Sequence, residues 1–137
     1  MSGRGAVASE PVWLSGRTLG ALIASCREDH GAAVADAGPA VRDRIVDAPR
    51  ARFRAGERDA GRLGGELFAV IAAEKGLGPG RLLLGVVATL VFWALNGHDL
   101  SARENALVVV ARRALGKSNA AARNSGMMTR GRTHDLE

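Results

Sequence analysis

Three histidines and one glycine-rich stretch are the first places in this chain to look for metal or phosphate chemistry. His30, His98 and His134 are far apart in the sequence, and none has a second ligand at the spacing that a metal site requires. The stretch GLGPG, residues 76–80, follows no strand pattern, and no lysine follows it at the spacing of a phosphate-binding loop. No arrangement of Ser, His and Asp indicates a hydrolase. The sequence therefore predicts no catalytic residues, no metal site and no cofactor, and a protein that is not an enzyme.

The single cysteine, Cys26, is better explained by packing than by reactivity. It follows Leu19, Leu22 and Ile23 at the intervals that place residues on one face of a helix, predicted from Ser15 to about residue 29. One cysteine allows no internal disulfide, which is consistent with a reducing compartment. We expect Cys26 to be buried in the core and slow to react.

The composition indicates one small globular domain, and its net charge is positive. The chain has 137 residues, 47% of them hydrophobic, and a formal net charge of +5. This length is enough for a single core. An acidic partner such as nucleic acid is therefore an open alternative, and residues 42–62 alone contain seven arginines. Four acidic residues are interleaved with them, which is more typical of a solvated face, and no helix-turn-helix pattern has a polar recognition helix.

The most apolar stretch is a fourteen-residue run from Leu82 to Leu95. As a helix it would be about 21 Å long, against about 30 Å for the hydrocarbon core of a bilayer. Arg81 precedes the run and Asn96-Gly97 ends it. We therefore expect a buried central helix wrapped by others rather than a membrane span, although a short-span membrane protein stays an alternative.

The rest of the chain predicts further helices and no strands, so the fold class expected is an all-α, single-domain bundle around residues 82–95. Proline and glycine residues set the expected ends of these helices. The predicted helices run from Pro39 to about Pro49, from about Arg58 to Lys75 before Gly76, from Ser101 through Leu115, and over Asn119–Asn124. We expect a flexible arm over residues 1–12, the helical domain over 13–126 and a flexible tail over 127–137.

The layout of amphipathic helices around an apolar helix headed by Gly-Arg resembles the Bcl family of apoptosis regulators, in particular its compact viral homologues. The first homology motif of that family, Asn-Trp-Gly-Arg, opens the central helix. Here Gly80-Arg81-Leu82-Leu83 matches its second half, and Gly78-Pro79 stands where the family has Asn-Trp. Residues 45–53 and Asn124-Ser125-Gly126 are faintly similar to the third and second motifs.

The resemblance implies an anti-apoptotic protein that binds the amphipathic homology-3 helix of pro-apoptotic partners in a hydrophobic groove. The groove would lie between residues 41–53, residues 63–71 and the start of the central helix, with Arg81 paired to an aspartate of the ligand. It also implies a cytoplasmic location, with association at the mitochondrial surface of a host cell. The residues expected at the partner-binding site are Arg81, Gly80, Phe53, Phe68, Ile71, Leu83, Leu84 and Ala88.

Overall fold

A computed structural model describes residues 9–98 and residue 101 of the chain. Within these residues the regular structure consists of four α-helices and one short 3₁₀ turn, with no strand. The all-α fold class is confirmed. The predicted helices after Ser101 and over 119–124, His134 and the tail over 127–137 lie outside the described residues.

The first helix, α1, spans Gly16–His30 and begins and ends as its sequence predicts. The Ser15 hydroxyl accepts a hydrogen bond from the Thr18 amide at 3.0 Å and so caps the helix. Gly31 ends it in the left-handed conformation, with φ of 63°. Cys26 is fully buried on the inner face, as predicted.

The second helix, α2, spans Pro39–Arg54 and begins with proline in its first turn. Its predicted end near Pro49 is wrong, because the helix continues for another turn through that residue. Pro49 is buried, and the turn beyond it packs Phe53 at 5.7 Å from the Trp13 ring, in an edge-to-face contact. Packing in this last turn offsets the backbone hydrogen bond that an internal proline removes.

The third helix, α3, spans Ala60–Ala73, shorter at both ends than the predicted range of 58–75. Asp59 caps its start by accepting a hydrogen bond from the Gly61 amide at 2.9 Å. A 3₁₀ turn over Lys75–Leu77 follows, and Gly78, with φ of 90°, turns the chain toward the next helix. The GLGPG stretch therefore forms the corner between α3 and the next helix.

The fourth helix, α4, spans Arg81–Leu95, the predicted range. It packs against α3 and α1, while α2 packs against α1 and α3, so the four helices enclose one core. The expectation that α4 is wrapped on all sides holds only in part, because Leu82 and Val86 are exposed. No helix in the described range 9–98 has both the length and the apolar character needed to cross a membrane.

Candidate protein-binding surface

The outer side of α4 exposes large apolar side chains where a surface helix normally carries polar ones. Leu82 is 54% exposed and Val86 is 41% exposed, and the two are one helical turn apart. From Leu82 to Leu95 the only polar residue is Thr89, which is buried and donates a hydrogen bond to the Gly64 carbonyl. α4 therefore has no polar outer face, which is unusual for a helix that meets solvent.

The neighbouring flank of α3 extends this surface without adding charge. Phe68 is half-buried and lies against Gly85, in the middle of the contact between α3 and α4. Gly65 and Ala69 are exposed beside it, and Ala72 is half-buried one turn further on. We call this set the α3–α4 apolar surface, and its residues are Gly65, Phe68, Ala69, Ala72, Leu82 and Val86.

The charged residues of α3 border the apolar surface on the side away from α4. Glu66 pairs with Arg52 of α2 at 3.6 Å, and Arg62 pairs with Asp59 at 3.8 Å. The helical repeat of 3.6 residues places both away from α4. The part of the surface between α3 and α4 is therefore uncharged, and Arg62 and Glu66 lie at its outer margin, one helical turn from Gly65 and Ala69.

A positive charge stands at one end of this surface. The Arg81 guanidinium donates from Nε to the Ala72 carbonyl at 2.6 Å and from Nη1 to the Gly78 carbonyl at 3.1 Å. It therefore closes the C-terminal end of α3, whose last carbonyls have no partner within the helix. No carboxylate in the described part of the chain lies within 4.0 Å of Arg81, and its Nη2 donors take part in neither bond.

The structure brings only part of the expected partner site together. Arg81 and Phe68 lie at the α3–α4 apolar surface, next to Leu82 and Val86, two residues that are not among those expected at the site. The uninterrupted apolar run is the signal that could have found these two, but it does not show which side of α4 is left uncovered.

The other expected site residues lie elsewhere, so the groove expected between α2, α3 and α4 is closed. Ile71, Leu84 and Ala88 are 0% exposed and fill the core, because each faces the other helices rather than solvent. Phe53 packs on Trp13 at the far end of α2, and Leu83 packs half-buried against the core. Gly80 lies under the loop before α2, where its amide donates to the Ala33 carbonyl at 2.9 Å.

The arginine-rich segment is a network of surface ion pairs rather than an open basic patch. Arg44 pairs with Glu74 at 2.7 Å, and Arg54 pairs with Asp47 at 3.8 Å. The described residues carry eleven Lys and Arg against ten Asp and Glu, so +1 of the chain's net charge of +5 belongs to them. The folded bundle therefore offers little net attraction to nucleic acid.

One open cleft of about 500 Å³ lies between the start of α1 and the middle of α2. Asp43 and Asp47 line it together with Arg44 and Arg50, over a floor that includes Leu14 and Val46. Because both signs of charge are present in equal number, the cleft selects neither an anion nor a cation.

The candidate chemical residues form no reactive cluster in the described range. No group of three or more His, Cys, Asp or Glu side chains there is arranged to hold a metal ion. His30 is exposed at the end of α1, and the His98 ring stacks on Trp93 with 6.2 Å between centroids. Burial, and then the negative charge of Asp29, raise the pKa of the Cys26 thiol from 9.0 to about 11.

Comparison of the chain with protein-family models, with curated proteins and with solved structures finds no match. The resemblance to the Bcl family therefore depends on the Gly80-Arg81 motif and the order of the helices. What the fold itself offers is an apolar surface with an arginine at its edge.

Proposed function

We propose that this chain is a protein-interaction module and that its α3–α4 apolar surface binds an amphipathic helix of a partner protein. The observation that carries the proposal is the exposure of Leu82 and Val86 on a helix face without polar residues. Covering these two half-exposed side chains would contribute about 2 kcal/mol, since full burial of one contributes about 1.5–3 kcal/mol. Two such anchors beside Phe68 are typical of a binding site dominated by a few residues.

The shape of the surface favours a helix as its occupant. Gly65 and Ala69 are small and exposed, and they are one turn apart on α3. A partner helix can approach the α3 backbone closely there while its apolar side chains contact Leu82 and Val86. Helix-in-groove recognition of this kind uses apolar anchors at intervals of three and four residues.

The charge at the edge of the surface favours a partner with an acidic residue. Arg81 is held in place by the Ala72 and Gly78 carbonyls, while its Nη2 donors are left for a further acceptor. An arginine whose guanidinium group is already held by hydrogen bonds loses little conformational freedom when it binds a carboxylate. We therefore propose an amphipathic helix that places an aspartate or glutamate beside Arg81.

Arg81 would keep the role that the Bcl resemblance implies for it. The apolar contacts would lie on the α3–α4 apolar surface instead of in a groove that includes α2. The homology-3 helices of pro-apoptotic proteins combine apolar anchors with an aspartate, so they are the first partners to test. An anti-apoptotic role, a viral origin and a location at the mitochondrial surface belong to the same proposal.

Peptide binding by matched variants tests the proposal. A panel of labelled amphipathic peptides with and without the acidic residue would be titrated against the wild type, Leu82→Glu and Leu95→Glu. Leu95 is also on α4 and is 40% exposed, but the helical repeat places it on another side. We expect Leu82→Glu to weaken binding at least about tenfold, or about 1.4 kcal/mol, and Leu95→Glu to change it by less than about twofold.

Three results would contradict the proposal. They are equal losses in the two variants, wild-type affinity in Leu82→Glu, and no binding of any peptide by the wild type. Circular dichroism of each variant would show whether a loss comes from unfolding. Duplex nucleic acid bound with a steep salt dependence would instead favour the basic-protein alternative.

A further inference from the structure

The side chain of Asn96 ties the segment before α1 to the end of α4. The Val12 amide donates to Asn96 Oδ1 at 2.8 Å, and Asn96 Nδ2 donates to the Val12 carbonyl at 3.0 Å and to the Phe92 carbonyl at 2.8 Å. One acceptor and two donors of the carboxamide are thus matched. We call residues 10–14 the N-terminal strap.

Trp13 is the apolar anchor of the strap. Its ring stacks on Phe92 with 5.9 Å between centroids and meets Phe53 edge-to-face. The indole N–H donates to Glu10 at 2.6 Å within the strap itself. The Asn96 bonds and the Trp13 contacts hold the same five residues, so breaking one set weakens the other.

Asn96 is followed by Gly97, a pair with its own chemistry. When the backbone nitrogen of Gly97 attacks the Asn96 carboxamide carbon, a C–N bond forms, the amide proton is lost and ammonia leaves. Water then opens the resulting cyclic imide to aspartate or isoaspartate. Glycine hinders this attack least because it has no side chain.

The docked strap opposes that reaction. The three hydrogen bonds fix the Asn96 carboxamide, and the Gly97 amide donates to the Ala94 carbonyl at 3.2 Å. Cyclisation requires the carboxamide to leave Val12 and turn toward the Gly97 nitrogen. It therefore requires the strap to leave its place.

We propose that Asn96 is a deamidation site and that its deamidation keeps the N-terminal strap irreversibly released. Release of the strap frees Asn96 to cyclise, and the product is a carboxylate that accepts hydrogen bonds but cannot donate them. That carboxylate faces the Val12 and Phe92 carbonyls, which are acceptors too. The strap then stays released, and the Trp13 site on Phe92 and Phe53 stays open.

The first test measures the rate of conversion in the full chain. Peptide mapping by mass spectrometry would follow Asn96 in the wild type, Trp13→Ala and Val12→Pro at neutral pH. Val12→Pro removes the amide donor at an exposed residue, 55% accessible, and leaves Trp13 in place. We expect about tenfold faster conversion in Trp13→Ala and about threefold faster in Val12→Pro. Asn124, which precedes Ser125, serves as the internal control and should not change. Equal rates at Asn96 in all three chains would overturn the proposal.

The second test introduces one of the two products, aspartate, as Asn96→Asp and follows the indole N–H resonance of Trp13. The wild type at the same pH is the reference, because the Glu10 carboxyl group accepts a hydrogen bond from this N–H. At neutral pH this resonance should move away from its wild-type position, because the ring leaves Phe92 and Phe53. Below about pH 3 most of the carboxyl groups at residue 96 of this variant are protonated and can donate one hydrogen bond, so the resonance should move back toward that of the wild type at the same pH. A Trp13 signal that is unchanged at neutral pH, or a shift that acid does not reverse, would also overturn the proposal.

Discussion

The indole of Trp93 lies directly against Gly64, at a distance that leaves no room for a side chain on that residue. The indole N–H donates to the Ala60 carbonyl at 3.0 Å, one turn before Gly64. Trp93 thus joins the end of α4 to the first turn of α3. The absence of a β-carbon at Gly64 is what allows the two helices to approach this closely.

Replacing Gly64 with alanine should therefore destabilise the fold. The new β-carbon would overlap the Trp93 ring, and the overpacking should cost about 1–3 kcal/mol in the free energy of unfolding. Urea denaturation would measure it. Gly65→Ala is the matched control, because nothing lies within 4 Å of its β-carbon and alanine favours a helix interior by about 0.5–1 kcal/mol. Equal effects at the two glycines would show that the Trp93 contact does not decide the outcome.

Arg81→Ala should lower stability as well as peptide affinity. The substitution removes two hydrogen bonds from a charged donor to the Ala72 and Gly78 carbonyls, with an expected cost of about 1.5–3 kcal/mol. Arg81→Lys keeps the positive charge but not the planar guanidinium group that reaches both carbonyls. Compared with Arg81→Ala, it should therefore restore more of the peptide affinity than of the stability. Thermal unfolding and peptide titration on both variants would separate the two roles. Full wild-type stability in Arg81→Ala would contradict the bonds described.

The sequence predicts α1 and α4 well because local signals mark their ends. Ser15 and Gly31 cap α1, and Arg81 and Asn96 flank the apolar run of α4. The end of α2 could not be predicted in the same way. Pro49 is a strong local signal for an end, and contacts with residues distant in the sequence, such as that between Phe53 and Trp13, offset it.

The candidate site was predicted in part for a related reason. An apolar pattern identifies residues that avoid water, but it does not identify which of them the neighbouring helices cover. Leu84 and Leu82 are chemically identical, yet one is 0% exposed and the other 54%. Likewise, nothing local in the sequence places the Arg81 side chain on the carbonyl of Ala72, nine residues earlier.

Asp36 should make the loop between α1 and α2 sensitive to acid. Its carboxylate accepts a hydrogen bond from the Gly38 amide at 2.9 Å and pairs with Arg42, and these contacts hold its pKa below the usual 3.8. Because the pKa of Asp36 is lower in the folded state, its charged form stabilises the fold at pH values above the pKa of the unfolded chain. That stabilisation is lost as the pH falls through the pKa of the folded state. Asp36→Asn should therefore destabilise at about pH 6 and have less effect at about pH 3. Denaturant titrations would show this, with Glu28→Gln, exposed on α1, as the control. The same cost at both pH values would mean that the charge is not involved.

Cys26 should make the fold sensitive to base and should itself be slow to react. The thiol is 0% exposed, and its pKa of about 11, raised by burial and then by Asp29, leaves about 100-fold less thiolate near neutral pH than the usual value of 9.0 would. A thiol reagent should therefore label the native chain at least about 100-fold more slowly than the chain in denaturant.

Because the pKa of the Cys26 thiol is higher in the folded state, its stabilising contribution is complete below pH 9.0 and is lost as the pH rises to about 11. The difference in unfolding free energy between the wild type and Cys26→Ala should shrink over that interval. Asp29→Asn should lower only the upper end of the interval, because the lower end is the pKa of the unfolded chain. Rapid native labelling, or a difference that stays constant across the interval, would place the thiol in contact with water and would contradict the packing of α1 against the core.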